Sequence, residues 1–104
     1  MLKIGNIEYD FSRVNVQDAL EIKNAMFILA KENTTITQIK EANNIIDSIA
    51  LKHLKVKQGN QWIDSVDENT IGQIFDNELA VIEISAQFMN RIKGFLEKLQ
   101  SFQH

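Results

Sequence analysis

A chain of 104 residues with 44% hydrophobic content is sized for one domain, spanning 1–104, with a modest core. It has no cysteine, which excludes disulfides, thiolate metal sites and a cysteine nucleophile, and no proline, which favours uninterrupted helices over a turn-rich β architecture. A net charge of −3 argues against a general nucleic-acid binder, because neutralising phosphate takes a basic excess.

No apolar run approaches the ~18 residues that cross a bilayer, and no basic segment followed by an apolar one opens the chain. The expectation is a cytosolic protein with no membrane partner. In chain order, Leu2-Lys3-Ile4, Gly5-Asn6 and Ile7-Glu8-Tyr9 read as a small β-hairpin, with Gly-Asn supplying the positive φ of a tight turn. Asn15 caps a first helix from Val16 to Lys31, with Asp18 in its first turn. Its seam is Ala19, Ile22, Met26 and Leu29. The run Ala25-Met26-Phe27-Ile28-Leu29-Ala30 is apolar all round, which predicts burial by its own chain or by another, and it is read as central.

Thr35 with Gln38 forms a capping box for a second helix, Ile36 to Leu54, whose inward face is Ile39, Ala42, Ile46, Ile49 and Ala50. Short connections make the two helices antiparallel neighbours. From Lys55 to Asp64 the pattern is open. Val56-Lys57-Gln58, Gly59-Asn60 and Gln61-Trp62-Ile63 read either as a second hairpin or as a loop that drops Trp62, the sole tryptophan, onto the core. Trp62 is alternatively an anchor for a partner. Ser65 and Glu68 form another capping box, for a short helix from Val66 to Phe75. The last helix runs from Asn77 to Phe102, about 26 residues or ~39 Å. Val81, Ile84, Phe88, Ile92, Phe95, Leu99 and Phe102 form its apolar face, widened by Ile82, Met89 and Leu96. Such a stripe outruns what a small domain hides. The fold expected is therefore mainly α: a bundle of about four helices with a long C-terminal helix, and at most a short N-terminal β-hairpin beside it.

Tools for catalysis are scarce. Isolated glycines exclude a phosphate-binding loop. His53, near a helix end rich in lysine, reads as an electrostatic cap, and no serine has a neighbouring His and acid in an activating motif. Asp64, Asp67 and Glu68 do not match a calcium loop. The expectation is no enzyme, no metal and no cofactor. Charge is uneven: Lys52, His53, Lys55 and Lys57 cluster, while Asp64 to Glu83 holds acids alone, an asymmetry that suits either solvated faces or head-to-tail self-association. A surplus apolar stripe instead suits helix-in-groove binding, with helices one and four bordering the groove. The residues expected to meet a partner are Met26, Trp62, Phe88, Met89, Ile92, Phe95, Leu99 and Phe102.

Three stretches carry a resemblance. The opening Leu2-Lys3-Ile4-Gly5-Asn6-Ile7-Glu8-Tyr9, the segment Trp62-Ile63-Asp64-Ser65 before a short helix, and the terminal Gly94-Phe95-Leu96-Glu97-Lys98-Leu99 resemble the tail assembly chaperones of long-tailed phages of low-GC Gram-positive hosts, in particular those serving the tape measure protein of lactococcal phages. The resemblance spans most of the chain in layout, through loose motifs. It implies a chaperone that coats the apolar helices of a tape measure protein in the host cytoplasm, in many copies, until tube subunits displace it. Such a protein is not retained in the virion and carries no catalytic residue. A structural oligomer of the tail or head–tail connection, and a small regulatory binder of one globular partner, are the rival classes.

Overall fold

The structure, a computed structural model, describes residues 2–64, 68–77 and 79–102, without the side chains of residues 68 and 99–102. It corrects the expected helical bundle. The fold is α+β, a four-stranded antiparallel sheet with helices packed on one face. Its elements are β1 (Leu2–Ile4), β2 (Ile7–Phe11), α1 (Val16–Ala30), α2 (Ile36–Lys52), β3 (Leu54–Gln58), β4 (Gln61–Asp64), α3 (Glu68–Phe75) and α4 (Ala80–Phe102). The sheet order is β1-β2-β3-β4.

Both hairpins turn on glycine. Gly5 and Gly59 adopt φ of +60° and +63°, a left-handed conformation that costs glycine little and other residues more. The second hairpin, left open by the sequence, is thus formed, with Lys57 opposite Trp62 and Gln58 opposite Gln61. The central pairing joins Tyr9 to Val56 and Phe11 to Leu54 across the whole α1–α2 insertion. Strand alternation then sorts the residues. Tyr9, Phe11, Leu54 and Val56 point under the helices and are buried. Lys3, Glu8, Lys57 and Trp62 line the opposite, open face, where Glu8 lies 3.9 Å from the Lys3 ammonium and 3.5 Å from that of Lys57.

Helix boundaries follow their caps. Asn15 Oδ1 accepts the Asp18 amide at 2.7 Å to open α1. Thr35 and Gln38 close a reciprocal capping box, each bond 3.1 Å, to open α2. The Thr34 hydroxyl ties the turn between them, directed at the Ile28 and Lys31 carbonyls at 2.8 and 2.9 Å. α2 stops at Lys52, two residues short of the expectation, because Leu54 is taken up by β3. Asp76, at φ +50°, follows the end of α3, and Asn77 Oδ1 accepts the Leu79 amide at 2.9 Å before α4. The Ser65–Glu68 capping box lies outside the described residues.

The core is centred where the sheet meets α2, α3 and α4. Tyr9, Phe88, Ile22, Leu54, Ile71, Ile84 and Val56 are its largest fully buried side chains. Aromatic edges order it: Phe11 meets Phe88 at 5.2 Å, and Tyr9 meets Phe11 and Phe75 at 5.8 and 5.9 Å. The main helix contacts are α1 with α2, α2 with α4, and α3 with α4. The molecule measures 45 × 31 × 18 Å.

Candidate functional site

Each end of that hairpin behaves differently, and the near end is fixed by a polar lock. Asp18, at the start of α1, and His53, just after α2, are both buried. His53 Nε2 lies 2.8 Å from Asp18 Oδ2, and the Lys52 ammonium reaches the same carboxylate at 3.1 Å. On the other side of the ring, Nδ1 is 2.8 Å from the Ser12 hydroxyl, while the Ser12 amide donates to the His53 carbonyl at 2.7 Å. The hydrogen bond from His53, aided by Lys52, holds the Asp18 carboxyl below the usual carboxylate range, against the burial that pushes it up. The imidazole also stacks on Phe88, ring centres 6.1 Å apart. Three chain segments, the β2 exit, the α1 start and the α2 end, are joined at this point. His53 is therefore more than the helix-end cap read from its neighbours. With Nε2–H donated to Asp18, Nδ1 accepts the Ser12 proton, the polarity of a base-activated hydroxyl. Ser12, Asp18 and His53 are far apart in sequence, so no local motif announces them.

The far end of the hairpin is apolar and uncovered. Met26 is 42% exposed, Phe27 67%, Leu29 37%, Ile36 74% and Ile39 38%. This corrects the expected central burial of Ala25–Ala30, and of Met26, Leu29 and Ile39 in the helix seams. The buried stripe of α1 is Asp18, Ala19, Ile22 and Ala25, which meets α2 through small residues and stops short of the last turn. Two helices of a hairpin cover only one side of each other.

Two grooves flank α4. The first, about 410 Å³, runs between α1 and α4 and is lined by Met26, Phe27, Ala30 and Leu96, with Lys23, Asn24, Lys93 and Glu97 at its polar margin. The second, about 440 Å³, lies between the β2 exit and the other flank of α4. Phe11, Val14, Phe88, Ile92 and Phe95 form its apolar lining, and Ser12, Arg13 and Arg91 its polar one.

The partner residues read from the sequence therefore do not form one patch. Met26 is on the first groove, and Phe95 stands at the rim of the second with 36% of its surface exposed. Phe88 and Ile92 are core residues, 0% and 4% exposed, that form the floor beneath Phe95. Met89 is partly buried against the core. Trp62 is 43% exposed on the open face of β4, so it is no core plug, and it is remote in register from both grooves. The side chains of Leu99 and Phe102 lie outside the described residues. The sequence reading missed Phe27 and Ala30, although the all-round apolar run contained them; the error was to assign that run to the core.

Comparison with protein-family models, with curated proteins and with solved structures gives no match. The site is accordingly read from its own chemistry. Among the described residues no group of His, Asp or Glu is placed to hold a metal ion, and no helix is long and apolar enough to cross a membrane. What the arrangement offers is an apolar trough between two helices, with mixed charge at its margins.

Proposed function

We propose that this chain is a phage tail assembly chaperone that binds apolar helices of a tape measure protein and keeps them soluble before the tail tube polymerises. One observation carries the reading: the far end of the α1–α2 hairpin exposes Met26, Phe27, Leu29, Ile36 and Ile39, beside a groove that α1 and α4 border. Exposed apolar surface of this kind on a small protein marks a docking site. A helix laid between α1 and α4 buries its own apolar stripe against Met26, Phe27 and Leu96, in the helix-in-groove mode. Unbranched methionine beside phenylalanine packs adaptably against varied sequences, which suits a client with many similar segments. The chaperone acts in the host cytoplasm, in several copies per client, without cofactor, nucleic acid or catalysis, and leaves before the virion is complete.

Co-expression with apolar tape-measure segments, followed by size exclusion with light scattering, tests this. A soluble complex with several copies per segment is expected. An insoluble client beside free, folded protein overturns it. The uncatalytic part has its own check: a fluorophosphonate is expected to leave Ser12 unlabelled, and stoichiometric labelling would make the Ser12–His53–Asp18 chain an active site.

A second reading, a structural oligomer that stays in the tail, is favoured by one feature. β4 is an outer strand of the sheet, and both Trp62 and Ile63 on it are exposed. Unpaired strand edges invite pairing with another chain. Detecting the protein in purified particles would favour that reading over the chaperone.

A further inference from the structure

We infer that the second groove, between the β2 exit and α4, docks an acidic amphipathic helix, an apolar side chain entering the groove and a carboxylate one turn away pairing with Arg13. The inference rests on the reading of this chain as a binder of helices, and it concerns a different groove and fixes the sign of the partner's charge. The groove has an apolar floor and walls in Phe11, Phe88, Ile92 and Phe95, and among the described residues the only charged side chains lining it are Arg13 and Arg91. On a chain of net charge −3 this is a local reversal of sign. The two arginines differ. Arg91 is already paired with Asp10 and lies over the Phe11 ring, 6.0 Å from its centre. Arg13 is exposed and has no ion pair or hydrogen bond among the described residues. A guanidinium held at the margin of an apolar trough, with its donors uncommitted, matches a carboxylate through paired hydrogen bonds. The backbone that carries it is fixed: Ser12, next in the chain, is bonded through both its amide and its hydroxyl to His53. Arg13 is therefore presented from an anchored segment, which lowers the entropy lost on pairing. A helical occupant follows from the wall that α4 provides, and helical spacing places an acid three or four residues from its apolar anchor.

Two fluorescent helical peptides of about five turns, sharing one apolar face but flanked by Glu in one and Lys in the other, test this by anisotropy against the full chain. The Glu peptide is expected to bind at least about tenfold more tightly at low salt, with the advantage fading near ~1 M salt. Arg13→Glu is expected to reverse the preference and Arg13→Ala to remove it. Lys40→Glu, exposed on α2 and lining neither groove, is expected to leave it in place. Circular dichroism of each variant should match the parent, since Arg13 is exposed and makes no ion pair or hydrogen bond among the described residues. Equal or tighter binding of the Lys peptide, or a preference unmoved by Arg13→Glu, overturns this inference and leaves the helix-binding reading standing. If neither peptide binds, both fall. A free chain whose scattering mass is a dimer that Arg13→Glu dissociates would give the groove to a second copy, and would likewise overturn it.

Discussion

Most apolar side chains at one end of the α1–α2 hairpin are buried, Val16 excepted, and several at the other are exposed. At the sheet end, Ala19, Ile22, Ile46, Ile49 and Leu51 are buried, and the Asp18–His53–Ser12 lock closes the polar gap between helix and strand. At the free end, Met26, Phe27, Leu29, Ile36 and Ile39 are exposed, with the Lys31 ammonium 5.3 Å from the centre of the Phe27 ring. Helix-forming periodicity is present at both ends. What separates them is the third layer: the buried side chains of β2 and β3 join the core with the first end, while at the free end α4 leaves a groove beside Met26, Phe27 and Ala30. The contrast teaches that apolar surface in a small α+β fold is hidden by the sheet, and that helices longer than the sheet can cover present what remains to a partner.

The comparison is broken most severely at the buried end. Phe88→Ala removes a fully buried ring that contacts Phe11 and His53, and should cost about 3–5 kcal/mol of stability, read as a lowered urea midpoint. Next comes the lock. Asp18→Asn takes the charge from a buried carboxylate shared by His53 and Lys52, and should cost about 1.5–3 kcal/mol at neutral pH. The pH dependence has a definite sign. Because the folded carboxyl titrates below its unfolded value of about 3.9, the lock's contribution is complete above that value and is lost as pH falls through the lower folded one. Denaturation midpoints measured from pH 6 downward should therefore drop more steeply in the parent than in Asp18→Asn.

At the free end the effects shrink. Thr35→Ala opens the capping box at the hairpin turn and should cost about 1 kcal/mol, measured in the same urea experiment. Phe27→Asp changes a side chain that is two-thirds exposed, and should move stability by no more than about 0.5 kcal/mol while abolishing client solubilisation. A Phe27→Asp loss as large as that of Phe88→Ala would show that the free end is core after all, and would remove the distinction on which the proposed function stands.

Legibility in the sequence follows the same division. Local chemistry was readable: Asn15, the Thr35–Gln38 box and the Gly5-Asn6 turn all appear where their residue types place them. Partnership across distance was not. β2 and β3 pair through only three registered positions, Tyr9, Asp10 and Phe11 against Val56, Lys55 and Leu54, and a strand of that length has no period strong enough to stand out beside two long helices. The α4 stripe was legible in kind. Of the face read from the sequence, Ile84, Phe88, Ile92 and Leu96 are buried, whereas Ile82 is exposed and Phe95 stands at a groove rim. Of the candidate site, α1 and α4 were anticipated as groove borders. Phe27 and Ala30 were hidden by the rule that an all-round apolar helix is buried, which holds only where the fold supplies something to bury it.

The most direct test of the central claim is a nuclear magnetic resonance titration of the labelled chain with an apolar helical peptide from a tape measure protein. Amide shifts are expected to concentrate at Asn24, Phe27, Ala30, Lys93 and Glu97, along the groove between α1 and α4, and to leave the β3–β4 hairpin unmoved. Shifts gathered on Gln61–Asp64 instead, or none at a saturating peptide concentration, would contradict it.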